Sequence, residues 1–275
     1  PTANYTLHTS AEGSSALELL TSSYPFHHIV PLKADSSLAS ATGQLKFSTE
    51  KIKVKPRPLV RCHLEPHSPL KKLCTRAGIA GLNSLSHMWS GHLNCTAALR
   101  SRLSDIQEWA TTHNLNEYTL QDHSDDAAGC YDNLEPSRAQ AYTDKLFTLI
   151  ETTTKITGFF VPTRSAITKP TPSSTPPHRR PQPSTFLSWD TIRLAIAWAT
   201  THRFFTLGTL TLSQKPSKGL FQGCPLSVLQ SNSTLYMSEH IAFLESSILR
   251  NSTRLTRLVD DKLTITIVHR TFGDA

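Results

Sequence analysis

Residues 254–266 read RLTRLVDDKLTIT. Two adjacent aspartates, Asp260 and Asp261, sit between an apolar run and an alternating one. Downstream, Leu263, Ile265 and Ile267 alternate with Thr264 and Thr266, the period of a half-buried strand. Upstream, Leu255, Arg257 and Val259 fall on one face of an extended segment, with Thr256 and Leu258 on the other. The pair therefore lies at the bend of a β-hairpin. Most Asp-Asp pairs at such a place decorate a turn, because the side chain bonds to nearby backbone groups. The pair becomes a site only if other carboxylates reach the same strand edge.

The chain of 275 residues is long enough for one large domain or two ordinary ones. Lys and Arg total 28 against 21 acidic residues, a net charge of +7 that both halves share. That balance favours a polyanionic partner without choosing between nucleic acid and an anionic membrane. No run of about 18 apolar residues exists, so no membrane span is expected. The beginning, PTANYTLHTSAEGSS, carries no basic-then-apolar signal and no starting Met, so an excerpt of a longer protein is expected. Five widely spaced cysteines make no disulfide framework and suggest a reducing compartment.

Residues 1–40 are polar and poorly patterned. Residues 44–64, QLKFSTEKIKVKPRPLVRCHL, suggest two short strands with a basic connection. The run is either a solvated face or a phosphate-binding surface. Leu99, Leu103, Ile106 and Ala110 predict a helix over about 95–112. A second helix is expected at 137–156, with Ser137 as its cap. Residues 169–185 hold six prolines and exclude a helix or a central strand. Ser188 then caps another helix. The longest helix is expected at 225–249, with Pro225 at its start and a stripe of Leu226, Leu229, Met237, Ile241, Leu244 and Ile248. The stripe reads as core. The five residues WATTH occur twice, at 109–113 and 198–202, too short a repeat to argue duplication.

Two further stretches could serve the aspartate pair. HSDDAAGCYDNLEP, residues 123–136, offers Asp126 with Tyr131 and Asp132 close behind. If the chain stays extended from Asp126 to Cys130, those two residues share a face. A carboxylate at one strand end can then meet those of a neighbouring hairpin. Two Mg²⁺ ions about 3.5–4 Å apart need such carboxylates from more than one strand. KGLFQGCPLSVLQ, residues 218–230, puts Gly219 and Gly223 just before the long helix, which lets backbone come close to a nucleotide or template base. Taken alone, each stretch is an ordinary solvated loop or helix entry.

Their order resembles the motif series of reverse transcriptases, and more narrowly the telomerase catalytic subunit. GCYDNLEP is similar to that family's motif A. GLFQGCPLSVL is similar to motif B. RLVDDKLTIT is close to its motif C, with Leu-Val before the paired aspartates. ATGQLKF followed by RPLV looks like motifs 1 and 2, and the Pro-rich stretch falls where telomerases carry an insertion in the fingers. The resemblance spans about residues 44–268.

It implies an α/β fold: right-hand polymerase fingers and palm, an antiparallel palm sheet packed on helices, and no thumb. Residues 1–40 would be an N-terminal flank and 41–121 the fingers with motifs 1 and 2. Residues 122–275 would be the palm, interrupted by a fingers insertion at about 138–215 that contains the Pro-rich loop. Asp126, Asp260 and Asp261 would ligate two Mg²⁺ ions and serve catalysis. Tyr131 would exclude a 2′ hydroxyl, Arg57 with Lys51 would hold the triphosphate, and Gln222 and Gly223 would contact nucleotide and template. Expected partners are a telomerase RNA template, a telomeric DNA primer and dNTPs, with no membrane, and the expected place is the nucleus, at telomeres. The rivals are a retroelement-type reverse transcriptase, a non-catalytic nucleic-acid-binding polymerase relic, and a zinc module of Cys62, His63, Cys74, His87, His92 and Cys95. The last lacks paired C-x₂₋₄-C units.

Overall fold

A computed structural model describes residues 5–46, 55–85, 97–113, 117–126, 130–164, 167–174, 183–215, 219–258 and 261–269. The chain opens with strand β1 (Tyr5–His8) and helix α1 (Ser10–Ser22), inside the stretch that reads as unpatterned. A reciprocal capping box starts α1: the Glu12 N–H donates to the Thr9 hydroxyl at 3.3 Å, and the Thr9 N–H donates to the Glu12 carboxylate at 2.7 Å. Its buried apolar side chains are Ala16 and Leu20, too thin a stripe to stand out in the sequence.

Strands β2 (Ala39–Lys46) and β3 (Lys55–Arg61) form a pair where two strands are expected over 44–64, although β2 begins ahead of that span, at Ala39. A 3-10 turn (Cys62–Leu64) leads into α2 (Ser68–Ser84), a helix that sequence pattern missed. Gly78 and Gly81 lower its helical signal, yet both serve packing. A Cβ on Gly78 would lie 2.5 Å from Leu229, and one on Gly81 2.5 Å from the Trp189 ring. Helix α3 (Ala97–Thr111) falls within the expected span.

Strand β4 (Tyr118–Asp126) ends at Asp126, and Cys130 begins the short helix α4 (Cys130–Asn133). Residues 127–129 between them lie outside the described residues, and so does the expected extended run from Asp126 to Cys130. Helix α5 (Pro136–Thr154) matches the second expected helix. Its N-cap is Glu135 rather than Ser137, whose hydroxyl instead donates to the Glu135 carboxylate at 2.6 Å. Strands β5 (Gly158–Pro162), β6 (Thr171–Pro172) and β7 (Ser184–Ser188) follow, then α6 (Trp189–Thr201). Ser188 caps α6 as expected, accepting from the Thr191 N–H at 3.1 Å.

The hairpin β8 (Phe204–Leu207) and β9 (Leu210–Gln214) precedes α7 (Pro225–Glu245), α8 (Ser247–Ser252), β10 (Thr253–Leu258) and β11 (Asp261–His269). Helix α7 is shorter than its stripe. Leu226, Leu229 and Met237 are buried, while Leu244 and Ile248 are exposed. The helix is instead enclosed on several faces, with Ser231, Asn232, Ser233 and Thr234 all buried. Ser233 and Thr234 satisfy their hydroxyls by donating to the carbonyls of Leu229 and Gln230, both at 2.7 Å.

Three sheets result. The largest runs β1-β9-β8-β2-β3, with β2 and β8 parallel and the other pairs antiparallel. It joins residues that sequence reading divides among the flank, the fingers and the insertion. The second, β10-β11-β4, is wholly antiparallel. The third, β6-β5-β7, keeps Pro172 on an edge strand, where the missing N–H costs no ladder bond; residues 175–182 of the Pro-rich stretch lie outside the described residues. One apolar core unites α2, α5, α6, α7 and strands of the first and third sheets. Trp189 anchors it, stacked 4.7 Å from Phe147 and donating its indole N–H to the Ile156 carbonyl. The architecture is α/β, with mixed and antiparallel sheets backed by helices.

Candidate functional site

The hairpin expected around the aspartate pair is present. Leu258 pairs with Asp261, so Val259 and Asp260 lie between two antiparallel strands, and both lie outside the described residues. Strand β11 then pairs with β4 along nine positions, and at one end Asp261 stands opposite Asp126. Two carboxylate residues far apart in the chain thus occupy one rung of one ladder. Their side chains, like that of Arg57, lie outside what the structure describes, and so does the whole of Lys51.

The hairpin is anchored from behind. Arg257 of β10 is buried and donates from Nε to the Glu239 carboxylate of α7 at 2.8 Å, with Nη2 on the same oxygen. Burial raises the Glu239 carboxyl above its usual range against the pull of Arg257. On the outer side of β10, Arg102 of α3 donates to the Thr256 hydroxyl at 3.3 Å and the Leu255 carbonyl at 3.4 Å. The Arg254 guanidinium lies 4.1 Å from the centre of the Trp109 ring, a cation–π contact. Sequence pattern placed Arg257 beside Leu255 on a strand face but had no means of finding Glu239.

The glycine loop meets the other pieces through backbone. The Leu220 N–H donates to the Tyr131 carbonyl at 2.7 Å, and the Val60 N–H donates to the Gln222 carbonyl at 2.8 Å. Tyr131, in α4, is half-buried, as is Gln222. Gly223 has φ +94°, and a Cβ there would fall 2.4 Å from the Val60 carbonyl oxygen. The loop therefore lies directly against β3, the strand that carries Arg57. Phe221 faces inward, edge-on to Phe205 at 5.4 Å.

Beneath the loop is a buried polar network that sequence reading did not foresee. The Lys71 ammonium donates to the Glu65 carboxylate at 2.7 Å, and both are buried. Burial raises Glu65 to about 7, against the pull of Lys71. Cys62, in the turn after β3, hydrogen-bonds with Cys224 at the start of α7. That bond draws the Cys224 thiol below its usual range, helped by Lys71 and by the Leu226 and Ser227 N–H groups, while burial opposes. Its counterpart Cys62 is pushed up. The network ties the exit of β3 to the entry of α7. Of the zinc candidates, Cys62 and Cys74 are buried free thiols; His87, His92 and Cys95 lie outside the described residues. Among the described residues, no group of three or more His, Cys, Asp or Glu could hold a metal ion.

No family model and no curated protein matches the chain. Solved structures do. Telomerase from Candida tropicalis, in complex with a TWJ fragment of telomeric RNA, aligns with a TM-score of 0.56 at 16% identity, covering 90% of this chain and 39% of its own. Telomerase from Candida albicans in complex with a TWJ fragment aligns at 0.53 and 17%, covering 86% and 40%. Apo telomerase from Candida tropicalis truncated from its C-terminal domain gives 0.52 and 14%, covering 94% and 49%. At these identities the likeness is one of fold. The protein has a telomerase-like fold, and the chain spans less than half the length of those telomerases. No described helix is long and apolar enough to cross a membrane.

Proposed function

We propose that the chain is the fingers and palm of a telomerase-type RNA-directed DNA polymerase, which adds dNTPs to a DNA 3′ end. The observation that carries this reading is the ladder rung Asp126–Asp261, next to Asp260, within a telomerase-like fold. In the proposal the β10-β11-β4 sheet is the palm, and β2–β3 with the insertion belongs to the fingers.

The donor set suits Mg²⁺. Cross-strand partners in an antiparallel ladder share a face of the sheet, and carboxylate oxygens are the hard ligands this ion takes. Asp126, Asp260 and Asp261 would hold two ions, which supply activation of the 3′ hydroxyl and charge stabilisation on the leaving pyrophosphate. The chain's own work is positioning. Arg57, with Lys51, binds triphosphate oxygens, for which a planar guanidinium fork is suited. Tyr131 bars a 2′ hydroxyl from the incoming sugar. Gln222 and Gly223 present backbone to nucleotide and template, on a loop whose height is set by Tyr131 on one side and Val60 on the other. The partners would be a telomerase RNA template and a telomeric DNA primer, and the place the nucleus, at telomeres.

Primer extension tests the reading. A DNA primer on an RNA template is incubated with dNTPs and Mg²⁺, with wild type beside Asp126→Ala and Asp260→Ala. Extension by wild type alone, weaker with rNTPs, is expected. Hybrid binding without extension in any of the three would replace the polymerase with a non-catalytic nucleic-acid-binding relic. A second measurement isolates the ions. Asp260→Asn should leave the melting temperature unchanged or higher, by relieving repulsion among clustered carboxylates, and should abolish stabilisation by Mg²⁺. Equal stabilisation of both proteins by Mg²⁺ would rule out the metal site.

A further inference from the structure

A groove of about 680 Å³ opens between the loop at residues 29–33, the N-terminal half of α2 and the segment following β5. Tyr131, Gln222 and Gly223 are not among the described residues that line it. Among the described residues, its walls carry Lys33, Lys72, Arg76 and Arg164 and no carboxylate. Two of these cations are fixed in place. Arg76 donates to the Pro162 carbonyl at 2.7 Å and the Thr168 carbonyl at 2.6 Å, and Lys33 donates to the His63 carbonyl at 3.2 Å. Lys72 and Arg164 are exposed, without an ion-pair partner among the described residues. Between the cations the described lining is aliphatic, with Val30, Leu32, Pro69 and Leu73, and no Phe, Tyr or Trp among the described residues.

Each feature narrows the ligand. Four like charges around one cleft raise the local concentration of anions. A single nucleic-acid strand would satisfy those charges, but such strands bind by stacking bases on aromatic rings, and the described lining residues offer none. An aliphatic floor of this size instead takes one or two apolar side chains, as ligand pockets of about 300–1,000 Å³ do. A ligand that meets both demands carries carboxylates beside aliphatic side chains on one short chain. We propose that the groove is a docking site for an acidic, aliphatic peptide segment of a partner protein. The anchored Arg76 and Lys33 hold its walls apart in advance, which lowers the ordering cost of binding. The proposal stands apart from the polymerase reading, since the two share no described residue.

Fluorescence polarisation tests it with three labelled probes on the whole chain: a 12-residue peptide of Glu, Asp and Leu, the same peptide with Ser in place of Leu, and a 12-nucleotide oligouridine. The proteins are wild type and the double variant Lys72→Glu with Arg164→Glu, both positions being exposed, with thermal melts to confirm that each is folded. The Glu/Asp/Leu peptide should bind wild type, lose at least tenfold in the double variant, and lose at least threefold when Leu becomes Ser. Binding of that peptide should also survive partly at 0.5 M salt, because burial of its Leu side chains is not screened. Two results overturn the proposal. One is a Glu/Asp/Leu peptide that fails to bind wild type, or that binds the folded double variant unchanged. The other is a silent peptide with oligouridine binding lost in the double variant, which would assign the groove to a phosphodiester backbone.

Discussion

Gly223 shows how one residue couples two parts of the candidate site. Its φ of +94° excludes most side chains, and the Val60 carbonyl occupies the place a Cβ would need. Gly223→Ala should therefore destabilise the fold by about 1–3 kcal/mol. That is a drop of several degrees in melting temperature at roughly 2–4 °C per kcal/mol, read by circular dichroism. An unchanged melt would mean that the loop does not rest on β3. His67 carries a different signature. Its side chain is fully enclosed, with its ring edge-on to Trp198 at 4.7 Å. Burial, with Lys71 and His202 nearby, holds its pKa far below the usual histidine range, although the Glu65 carboxylate lies only 3.7 Å away. The folded value is thus depressed. Its contribution to stability is complete above the unfolded value of about 6.5 and is lost as pH falls, because only the unfolded chain then takes up the proton. Wild type should lose about 1.4 kcal/mol per pH unit below 6.5 that His67→Gln does not lose. Urea titrations at pH 7, 6 and 5 would show the difference, and parallel slopes for the two proteins would count against a neutral buried imidazole.

Among the elements, the β10–β11 hairpin depends most on an outside support. Its local signals were plain in the sequence: threonines alternating with aliphatics, and an acidic bend. What seats it is Arg257 against Glu239 of α7, with side chains 8% and 14% exposed. Removing one member of a buried pair leaves the other uncompensated, at about 3–5 kcal/mol. Arg257→Met and Glu239→Gln should each lower the melting temperature markedly. The exchanged double variant, Glu239→Arg with Arg257→Glu, should recover part of the loss, a double-mutant coupling that thermal melts measure. Additive losses would mean that the two residues act separately. Helix α2 makes the opposite case about legibility. Its two glycines weaken the helical pattern, and their reason lies in Leu229 and Trp189, side chains of helices far along the chain.

At the scale of the whole molecule, residues near the beginning complete a sheet whose other strands come from much later. Strand β1 pairs with β9 from Tyr5–Gln214 to His8–Thr211, and Ala16 and Leu20 of α1 are buried. Deleting residues 1–22 should cost on the order of 3–5 kcal/mol from lost apolar burial, and it would leave β9 as a bare edge prone to association. A lower urea midpoint together with increased light scattering is the expected result. An unchanged midpoint would make the segment an appendage.

Local pattern was enough for much of this. The hairpin, the helices α3, α5, α6 and α7, the Ser188 cap and the edge position of Pro172 all follow from periodicities and turn chemistry within a window of a few residues. The candidate carboxylates were legible only through the order of the motifs around them, since an aspartate pair at a bend is by itself most often a turn. Tertiary structure alone decided that Asp126 shares a rung with Asp261, that β2 pairs in parallel with β8, that Gly223 rests on Val60, and that Glu65, Lys71 and Arg257 are buried rather than solvated. The reason is physical. A strand's period reports which face is apolar but not which distant strand will meet its free edge, and a charge's burial depends on the elements that happen to close over it.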